Sequence, residues 1–304
     1  MARLQKINGV YQVVRYLSAN EYFKSIFGKK VIKLAIDAGF TCPNRDGTLS
    51  SKGCIFCSGR GSGDFTFSKN FSVSRQIEEM KSFMGKKWKN GVYMAYFQAF
   101  TNTYAPLDIL REKYFEAANC EDIAAISIAT RPDCINEDIA ELLGELNQKA
   151  KVFAELGLQT SNESTAIFIN RCYKNEVYEN AVKMLKAKGI NVITHIIIGL
   201  PNESKEDWES SVDYAVKCGT DGIKLQLLHV LKNTELEKMY LRNEFKVLEF
   251  DEYINAVCEC IKRLPKNIVV HRMTGDGAKK DLIAPLWSCD KKKVLNALNK
   301  KLNE

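Results

Sequence analysis

Five continuous apolar runs, separated by helical patterns, constrain the fold of this chain more than any other feature of its sequence. The runs span 92–97, 124–129, 152–158, 192–198 and 222–228. Because each run is continuous rather than alternating, it predicts a strand buried on both faces, as in a parallel sheet. The helical patterns between them span 74–84, 106–118, 136–146, 176–187 and 204–217. With one more strand at 31–37, the alternation predicts an α/β fold of six strand-helix units, a partial (β/α)6 TIM-type barrel.

The length of the chain fits one such barrel with short additions at both ends. Its 304 residues are 45% hydrophobic, which suffices for one large core. We expect an N-terminal helical extension at 1–30, the barrel at 31–245, and a helix and strand extension at 246–304 that closes the barrel. A polar turn at 272–277, after a strand-like run at 267–271, is suited to covering a bound ligand.

The composition favours a cytoplasmic protein. No apolar run approaches the roughly 20 residues that a membrane span needs, so we expect no membrane contact. The first nine residues are not followed by the apolar region of a secretory signal. The ten cysteines are scattered along the chain, which fits a reducing compartment better than a disulfide framework.

The net charge of +7 permits contact with nucleic acid without demanding it. Basic residues gather in three segments, which contain Arg15, Lys24, Lys29, Lys30 and Lys33, then Lys86, Lys87 and Lys89, then Lys291–293 with Lys300 and Lys301. If these segments converge in space, they can neutralise phosphates. Solvated helix faces explain the same pattern equally well.

Three cysteines stand in one glycine-rich loop directly after the strand at 31–37. Cys42, Cys54 and Cys57 have the spacing C-x11-C-x2-C, and Phe56 places an apolar ring between the close pair. The carboxyl end of a strand is where α/β folds carry out their chemistry. Three thiolates in one such loop predict a metal centre.

The number of ligands decides between two metals. Structural zinc takes four protein ligands, usually with cysteines in pairs, and a second C-x2-C is missing here. Three cysteines without a fourth fit a [4Fe-4S] cluster with one iron open to a small molecule. Buried or incidental cysteines are the remaining alternative.

The loop resembles that of radical S-adenosylmethionine (radical SAM) enzymes, in which an aromatic residue precedes the last cysteine as Phe56 does here. The usual first spacer is shorter than the one in this chain. A long spacer that begins CPNRDGT and ends GCIFC is similar to the Elongator catalytic subunit and, more closely, to a small bacterial Elongator-like family. The segments TNTYAP and TRPD are similar to the same proteins, and the chain is identified as a member of that small family.

The resemblance implies a [4Fe-4S] cluster on Cys42, Cys54 and Cys57, with SAM bound to its open iron. The residues that it implies in SAM binding are Phe56, Gln98, Asn102, Thr130, Glu155, Gln159, Arg171, His195, Gly199 and Leu228. Gln159 and Arg171 also match a pattern of the anaerobic coproporphyrinogen oxidases, although Cys172 and Tyr173 depart from it. Candidate substrate contacts are Arg131, Lys224, Arg272 and Asp276.

Three of these residues have structural alternatives. Arg131 is equally able to form an ion pair with Asp133. A single histidine in a strand, such as His195, is more often a satisfied core residue than a ligand. Glu155 lies inside an apolar strand, and a buried carboxylate requires a partner, for which a ribose hydroxyl or the SAM ammonium would serve.

The family resemblance also implies a substrate, the wobble uridine in the anticodon loop of tRNA. The reaction implied shortens a 5-carboxymethylaminomethyl group to 5-aminomethyl, on uridine or 2-thiouridine, before a separate tRNA methyltransferase acts. A one-electron donor such as flavodoxin or ferredoxin would reduce the cluster. Two alternatives stay open at this stage: a radical SAM enzyme acting on a small molecule such as a porphyrin, and a non-catalytic metal- or RNA-binding module.

Overall fold

A computed structural model describes residues 3–7, 10–14, 16–85, 91–275 and 277–304. Its strands are β1 (Arg3–Ile7), β2 (Val10–Val14), β3 (Leu17–Ser18), β4 (Val31–Ile36), β5 (Val92–Phe97), β6 (Ile123–Thr130), β7 (Lys151–Gln159), β8 (Asn191–Ile198), β9 (Gly222–Leu227), β10 (Val230–Leu231), β11 (Val269–Arg272) and β12 (Leu282–Ala284). Its helices are α1 (Ala19–Phe27), α2 (Val73–Gly85), α3 (Leu107–Asn119), α4 (Glu137–Lys149), α5 (Glu163–Phe168), α6 (Asn175–Ala187), α7 (Lys205–Lys217), α8 (Glu235–Leu241), α9 (Phe250–Lys262) and α10 (Lys291–Asn303).

Eight parallel strands form the central sheet, in the order β3-β11-β9-β8-β7-β6-β5-β4. The strands predicted from the apolar runs are all present, and the helices between them cover the outer face. The sheet curls, so the prediction of a partial barrel is confirmed. Because every strand is parallel to its neighbour, their carboxyl ends share one edge, where the loops after β4 to β9 meet.

Two strands of the sheet lie outside the expected barrel segment at 31–245. They are β3 and β11, which form one edge of the sheet beyond β9. The sequence run at 267–271 indicated β11, whereas the two residues of β3 are too short to leave a pattern.

The N-terminal segment contains strands as well as the expected helix. The strands β1 and β2 pair antiparallel, and α1 follows. Asn8-Gly9 between two alternating segments is a hairpin signal in the sequence, which the expectation of a helical extension at 1–30 did not use. Ser18 caps α1, because its Oγ accepts the Glu21 N–H while the Glu21 carboxylate accepts the Ser18 N–H.

Helix α1 closes the amino end of the barrel. Phe23 is 5% exposed and packs edge-to-face on Phe153 of β7, with ring centroids 5.5 Å apart. Met94, Ala125 and Ile193, from three other strands, complete this apolar layer. The interior is thus sealed at its amino end, and its chemistry lies towards the carboxyl ends of the strands.

In the part of the chain that the structure describes, no helix is long and apolar enough to cross a membrane.

Candidate active site

A cavity of about 260 Å³ occupies the carboxyl end of the barrel. Most of the residues predicted from the sequence line it, namely Cys42, Cys54, Phe56, Cys57, Gln98, Thr130, Arg131, Glu155, Gln159, Arg171, His195, Leu228 and Arg272. Asn102, Gly199 and Lys224 lie behind this lining, and Asp276 lies outside the described residues. Residues from the two ends of the sheet therefore meet around one space.

The barrel interior is built in layers because side chains two residues apart on a strand face the same side. Met94, Phe153 and Ile193 form the apolar floor, and two residues further along the same strands stand Tyr96, Glu155 and His195. The strand alternation thus places polar groups directly between the floor and the cavity. These groups belong to different strands, so only the curled sheet brings them together.

Glu155 is the centre of this polar layer and is 1% exposed. Its Oε1 accepts from Ser127 Oγ at 2.7 Å and from Lys33 Nζ at 3.3 Å. Its Oε2 accepts from Tyr96 OH at 3.0 Å and pairs with Lys224 Nζ. The partner that the sequence required for this carboxylate is therefore supplied by the protein itself.

His195 links Glu155 to the cavity. The Nε2 atom lies 2.9 Å from Glu155 Oε2, and Nδ1 lies 3.3 Å from Gln226 Nε2. Burial and the positive charge of Lys224 lower the pKa of His195 to about 4, so the ring is neutral at pH 7. A neutral ring with its proton on Nε2 satisfies both contacts, since Nε2–H donates to Glu155 and Nδ1 accepts from Gln226.

The ion pair of Glu155 with Lys224 is fully buried. Burial by itself would raise the pKa of Glu155, but Lys224 and Lys33 together hold it well below its usual range. Burial lowers the pKa of Lys224, and the neighbouring charges of Lys33 and Arg272 act in the same direction against the effect of Glu155. The polar layer thus contains one carboxylate beside two lysines, Lys33 and Lys224.

The cysteine loop is held in shape by its own backbone and by three polar side chains. Asn44 Nδ2 donates to the Asn170 carbonyl at 2.7 Å, and Asn170 Nδ2 donates to the Gly53 carbonyl at 2.7 Å. Arg45 Nη2 donates to the carbonyls of Cys57 and Ser58 at 2.6 and 2.8 Å. The loop is therefore fastened to the segment after α5 and wrapped around the Arg45 side chain.

The three thiols lie close enough to influence one another. Burial raises the pKa of Cys54 to about 12, and Cys57 and Cys42 add to the shift. Burial also raises the pKa of Cys57, against the effect of Arg45. Buried thiols grouped in this way become thiolates when a metal centre supplies the positive charge.

The geometry of the loop fits a cluster better than a single ion. In the described ranges, no three Cys, His, Asp or Glu side chains are placed to hold one metal ion. A [4Fe-4S] cluster makes a different demand, because each of its cysteines binds a different iron. Cys42, Cys54 and Cys57 all line the same cavity, so the donor set fits such a cluster.

Several predicted residues use their polar groups within the protein. Arg171 is 1% exposed, and its guanidinium donates to the carbonyls of Leu158 and Thr160 at 2.9 and 2.7 Å. Arg131 forms the ion pair with Asp133 that the sequence offered as an alternative, at 2.9 and 2.7 Å. Asn102 Nδ2 donates to the carbonyls of Phe97 and Ala129.

Gln159, like Asn102, has a buried side-chain oxygen without a hydrogen-bond partner among the described residues. Its backbone has a φ of 66°, and its Oε1 is buried without a hydrogen bond among the described residues. A buried acceptor in this state is expected to meet a donor on a bound molecule. The role of Gln159 in SAM binding remains a prediction.

Sequence reasoning missed Tyr96, Ser127 and His229. The first two complete the polar layer, and the signal for them was a polar group inside an apolar strand, as for Glu155. His229 lines the cavity, and its Nδ1 accepts the Gly277 N–H at 3.2 Å. No local pattern marks His229, because its neighbour in space lies 48 residues away.

The first and last parts of the chain contact each other at one place. Tyr16 OH donates to Asn299 Oδ1 at 3.4 Å, and β2 contacts α10. Lys86, Lys87, Lys89 and Arg15 lie outside the described residues.

The sequence matches two family descriptions over most of its length. Residues 38–215 match the Radical SAM superfamily, and residues 220–304 match the Radical_SAM C-terminal domain. The chain is 44% identical to the uncharacterized protein YtqA of Bacillus subtilis over 95% of this chain and 89% of that protein. Over 50% of this chain and 28% of the relative, it is 29% identical to the tRNA uridine(34) acetyltransferase of Methanocaldococcus jannaschii.

The fold is also that of a solved structure, Elp3 from the archaeon Methanocaldococcus infernus. The two superpose with a TM-score of 0.68 at 19% identity, over 90% of this chain and 64% of that one. The match to the superfamily shows that the cofactors are a [4Fe-4S] cluster and S-adenosylmethionine. Cys42, Cys54 and Cys57 line one cavity, and their role as the cluster ligands stays a prediction. Its match to the superfamily and its likeness to YtqA and Elp3 show that the chain belongs to the Elongator-like radical SAM proteins.

Proposed function

We propose that this enzyme modifies the wobble uridine of tRNA and converts its 5-carboxymethylaminomethyl group, on uridine or 2-thiouridine, to 5-aminomethyl. The observation that carries the proposal is the similarity of half the chain to an enzyme whose name specifies tRNA uridine 34. The segments GCIFC, TNTYAP and TRPD, which resemble Elongator-like proteins, point to the same substrate.

Different residues of the chain have different roles in this reaction. Cys42, Cys54 and Cys57 would hold the cluster, and Gln159 would contact SAM beside it. When bound, these cofactors would supply a 5′-deoxyadenosyl radical able to abstract a hydrogen atom from the substrate. The chain contributes the closed floor under Glu155 and the loops at the mouth, which orient the reactants and exclude water.

The cavity lies at the carboxyl end of the barrel interior, which limits how a tRNA base can reach it. A uridine inside the anticodon loop reaches the barrel interior only when the base is splayed out of its stack. We further expect a cytoplasmic enzyme that takes electrons from a flavodoxin or ferredoxin and passes its product to a tRNA methyltransferase.

A reaction with purified components tests the proposal. Anaerobically purified enzyme with SAM and dithionite should convert 5-carboxymethylaminomethyluridine in tRNA to 5-aminomethyluridine, measured by mass spectrometry of digested nucleosides. The Cys57→Ala variant should contain less iron and form no product, whereas Cys260→Ser, buried in α9, should behave as the wild type. Cleavage of SAM without any change in the tRNA would contradict the substrate and leave the radical SAM assignment intact.

A further inference from the structure

Arg45 lies among the three cysteines of the loop. Its backbone N–H donates to the Cys42 carbonyl at 2.8 Å, and its Nη2 donates to the Cys57 carbonyl at 2.6 Å. Its side chain packs against Gly53, the residue before Cys54, where an added Cβ would lie 3.1 Å from the Nε atom. One arginine thus contacts the backbone at or beside each of the thiols that are predicted to bind the cluster.

The guanidinium of Arg45 has no carboxylate within ion-pair distance among the described residues. Two other arginines of the cavity differ, because Arg131 pairs with Asp133 at 2.7 Å and Arg171 pairs with Glu163 at 3.6 Å. Both hydrogen bonds of the Arg45 side chain go to neutral carbonyls. Arg45 lines the cavity and is half-buried, so water screens its charge less than that of a fully exposed cation.

A cation at this place acts unequally on the two oxidation states of a [4Fe-4S] cluster. Reduction adds one electron, so the reduced cluster carries one more negative charge than the oxidised cluster. A nearby positive charge therefore stabilises the reduced cluster more than the oxidised one. The reduction potential rises as a result, since charge and hydrogen bonding around a cluster are among the factors that set its potential.

We propose that Arg45 raises the reduction potential of the [4Fe-4S] cluster and so makes the cluster easier for a one-electron donor to reduce. The two carbonyl groups hold the guanidinium in place, and its positive charge favours the added electron. Arg45 acts through the cluster and is not required to touch the substrate. The inference goes beyond the proposed function, because it holds for any substrate, and it rests on the predicted binding of the cluster by Cys42, Cys54 and Cys57.

The test is a redox titration of the reconstituted cluster, followed by electron paramagnetic resonance in the absence of SAM and tRNA. Arg45→Gln keeps a donor for the carbonyls but removes the charge, so it should lower the ratio of reduced to oxidised cluster about tenfold at a given potential. For a one-electron couple, this is a fall of about 59 mV in the midpoint potential. Arg45→Lys, which keeps the charge, should retain most of the wild-type potential.

Lys52→Gln is the matched control, because Lys52 is an exposed cation of the same loop that does not line the cavity. Water screens its charge, so the midpoint potential of this variant should stay close to that of the wild type. Iron per chain is measured for every variant to establish that the cluster is present. Arg45→Met, which keeps an apolar stem beside Gly53, replaces Arg45→Gln if the latter holds too little iron to titrate.

Three results would overturn the inference. The first is a wild-type midpoint potential in an Arg45→Gln enzyme that contains its full iron. The second is an equal fall in potential for Lys52→Gln and Arg45→Gln, which would make the effect one of overall charge. The third is loss of iron from both neutral variants of Arg45, since the side chain would then serve to shape the loop. None of these results bears on the tRNA substrate, and failure of the tRNA assay leaves the inference about Arg45 standing.

Discussion

Glu155 illustrates how one buried side chain can depend on several strands. Its carboxylate lies 1% exposed among groups from β4, β5, β6, β8 and β9. Removing one member of a buried ion pair leaves an uncompensated charge, which costs about 3 to 5 kcal/mol, whereas removing both is far milder. The contribution of Lys224 to the free energy of unfolding thus depends on whether Glu155 is present.

We therefore predict that Lys224→Met lowers the free energy of unfolding by about 3 kcal/mol. The double variant Lys224→Met with Glu155→Gln should lose at least about 1 kcal/mol less than the sum of the single losses. Urea denaturation measures all three values. Lys186→Met, which breaks the partly exposed pair with Asp221, should cost less than about 1 kcal/mol. Additive losses at Lys224 and Glu155 would contradict the coupling.

At the scale of single elements, the cysteine loop depends on backbone shape. Gly61 has a φ of 52°, and a Cβ there would lie 2.4 Å from the Phe100 ring. Phe100 cannot easily move, because its own φ is 59° and its N–H donates to the Gly61 carbonyl at 2.7 Å. The loop therefore requires glycine at this position.

Replacing Gly61 with alanine should distort the loop and reduce the iron bound per chain after anaerobic reconstitution. Gly59→Ala is the matched control, since no atom lies within 4 Å of a Cβ at that position and its φ is ordinary. Iron is measured colorimetrically, and the expected loss is at least about twofold, because strain of this kind costs about 1 to 3 kcal/mol. Equal iron content in the two variants would mean that the loop tolerates a side chain at Gly61.

The loop after β8 contains a carboxyl group whose ionisation affects stability. Burial raises the pKa of Glu203 from 4.5 to about 7, although Thr160 Oγ1 donates to it. The folded state thus holds this proton more tightly than the unfolded state. The contribution of Glu203 to the free energy of unfolding therefore falls as the pH rises from about 4.5 to 7 and changes no further above pH 7.

Glu203→Gln should remove that dependence. The free energy of unfolding of the variant minus that of the wild type should be larger at pH 8 than at pH 5. Only at the higher pH must the wild type bury a charged carboxylate. Thermal unfolding at the two pH values measures the difference. A wild type that gains stability over the variant as the pH rises would contradict the shift at Glu203.

Elements of the barrel were predictable to different degrees. Runs such as 92–97 match their strands, because a strand buried on both faces is apolar throughout. The pairs β1–β2 and β10–β12 were not expected, and β10 has only two residues, too few for a pattern. The thiols of the site could be read from their spacing, whereas the partners of Glu155 could not, since they come from five strands.

At the scale of the whole molecule, the segment before α1 contacts α10 through Tyr16 and Asn299. Helix α10 carries an exposed group of cations, Lys291, Lys292, Lys293 and Lys300. A surface of this kind suits the phosphates of a tRNA, and binding through it should weaken with added salt. The cavity supplies the chemistry, and this surface would supply most of the affinity.

The nucleoside composition of tRNA from cells that lack this gene tests the central claim most directly. Mass spectrometry should show 5-carboxymethylaminomethyluridines accumulating at the expense of the aminomethyl and methylaminomethyl forms. The wild-type gene should restore the profile, and a Cys57→Ala gene should not. An unchanged wobble-uridine profile in the deletion strain would contradict the account.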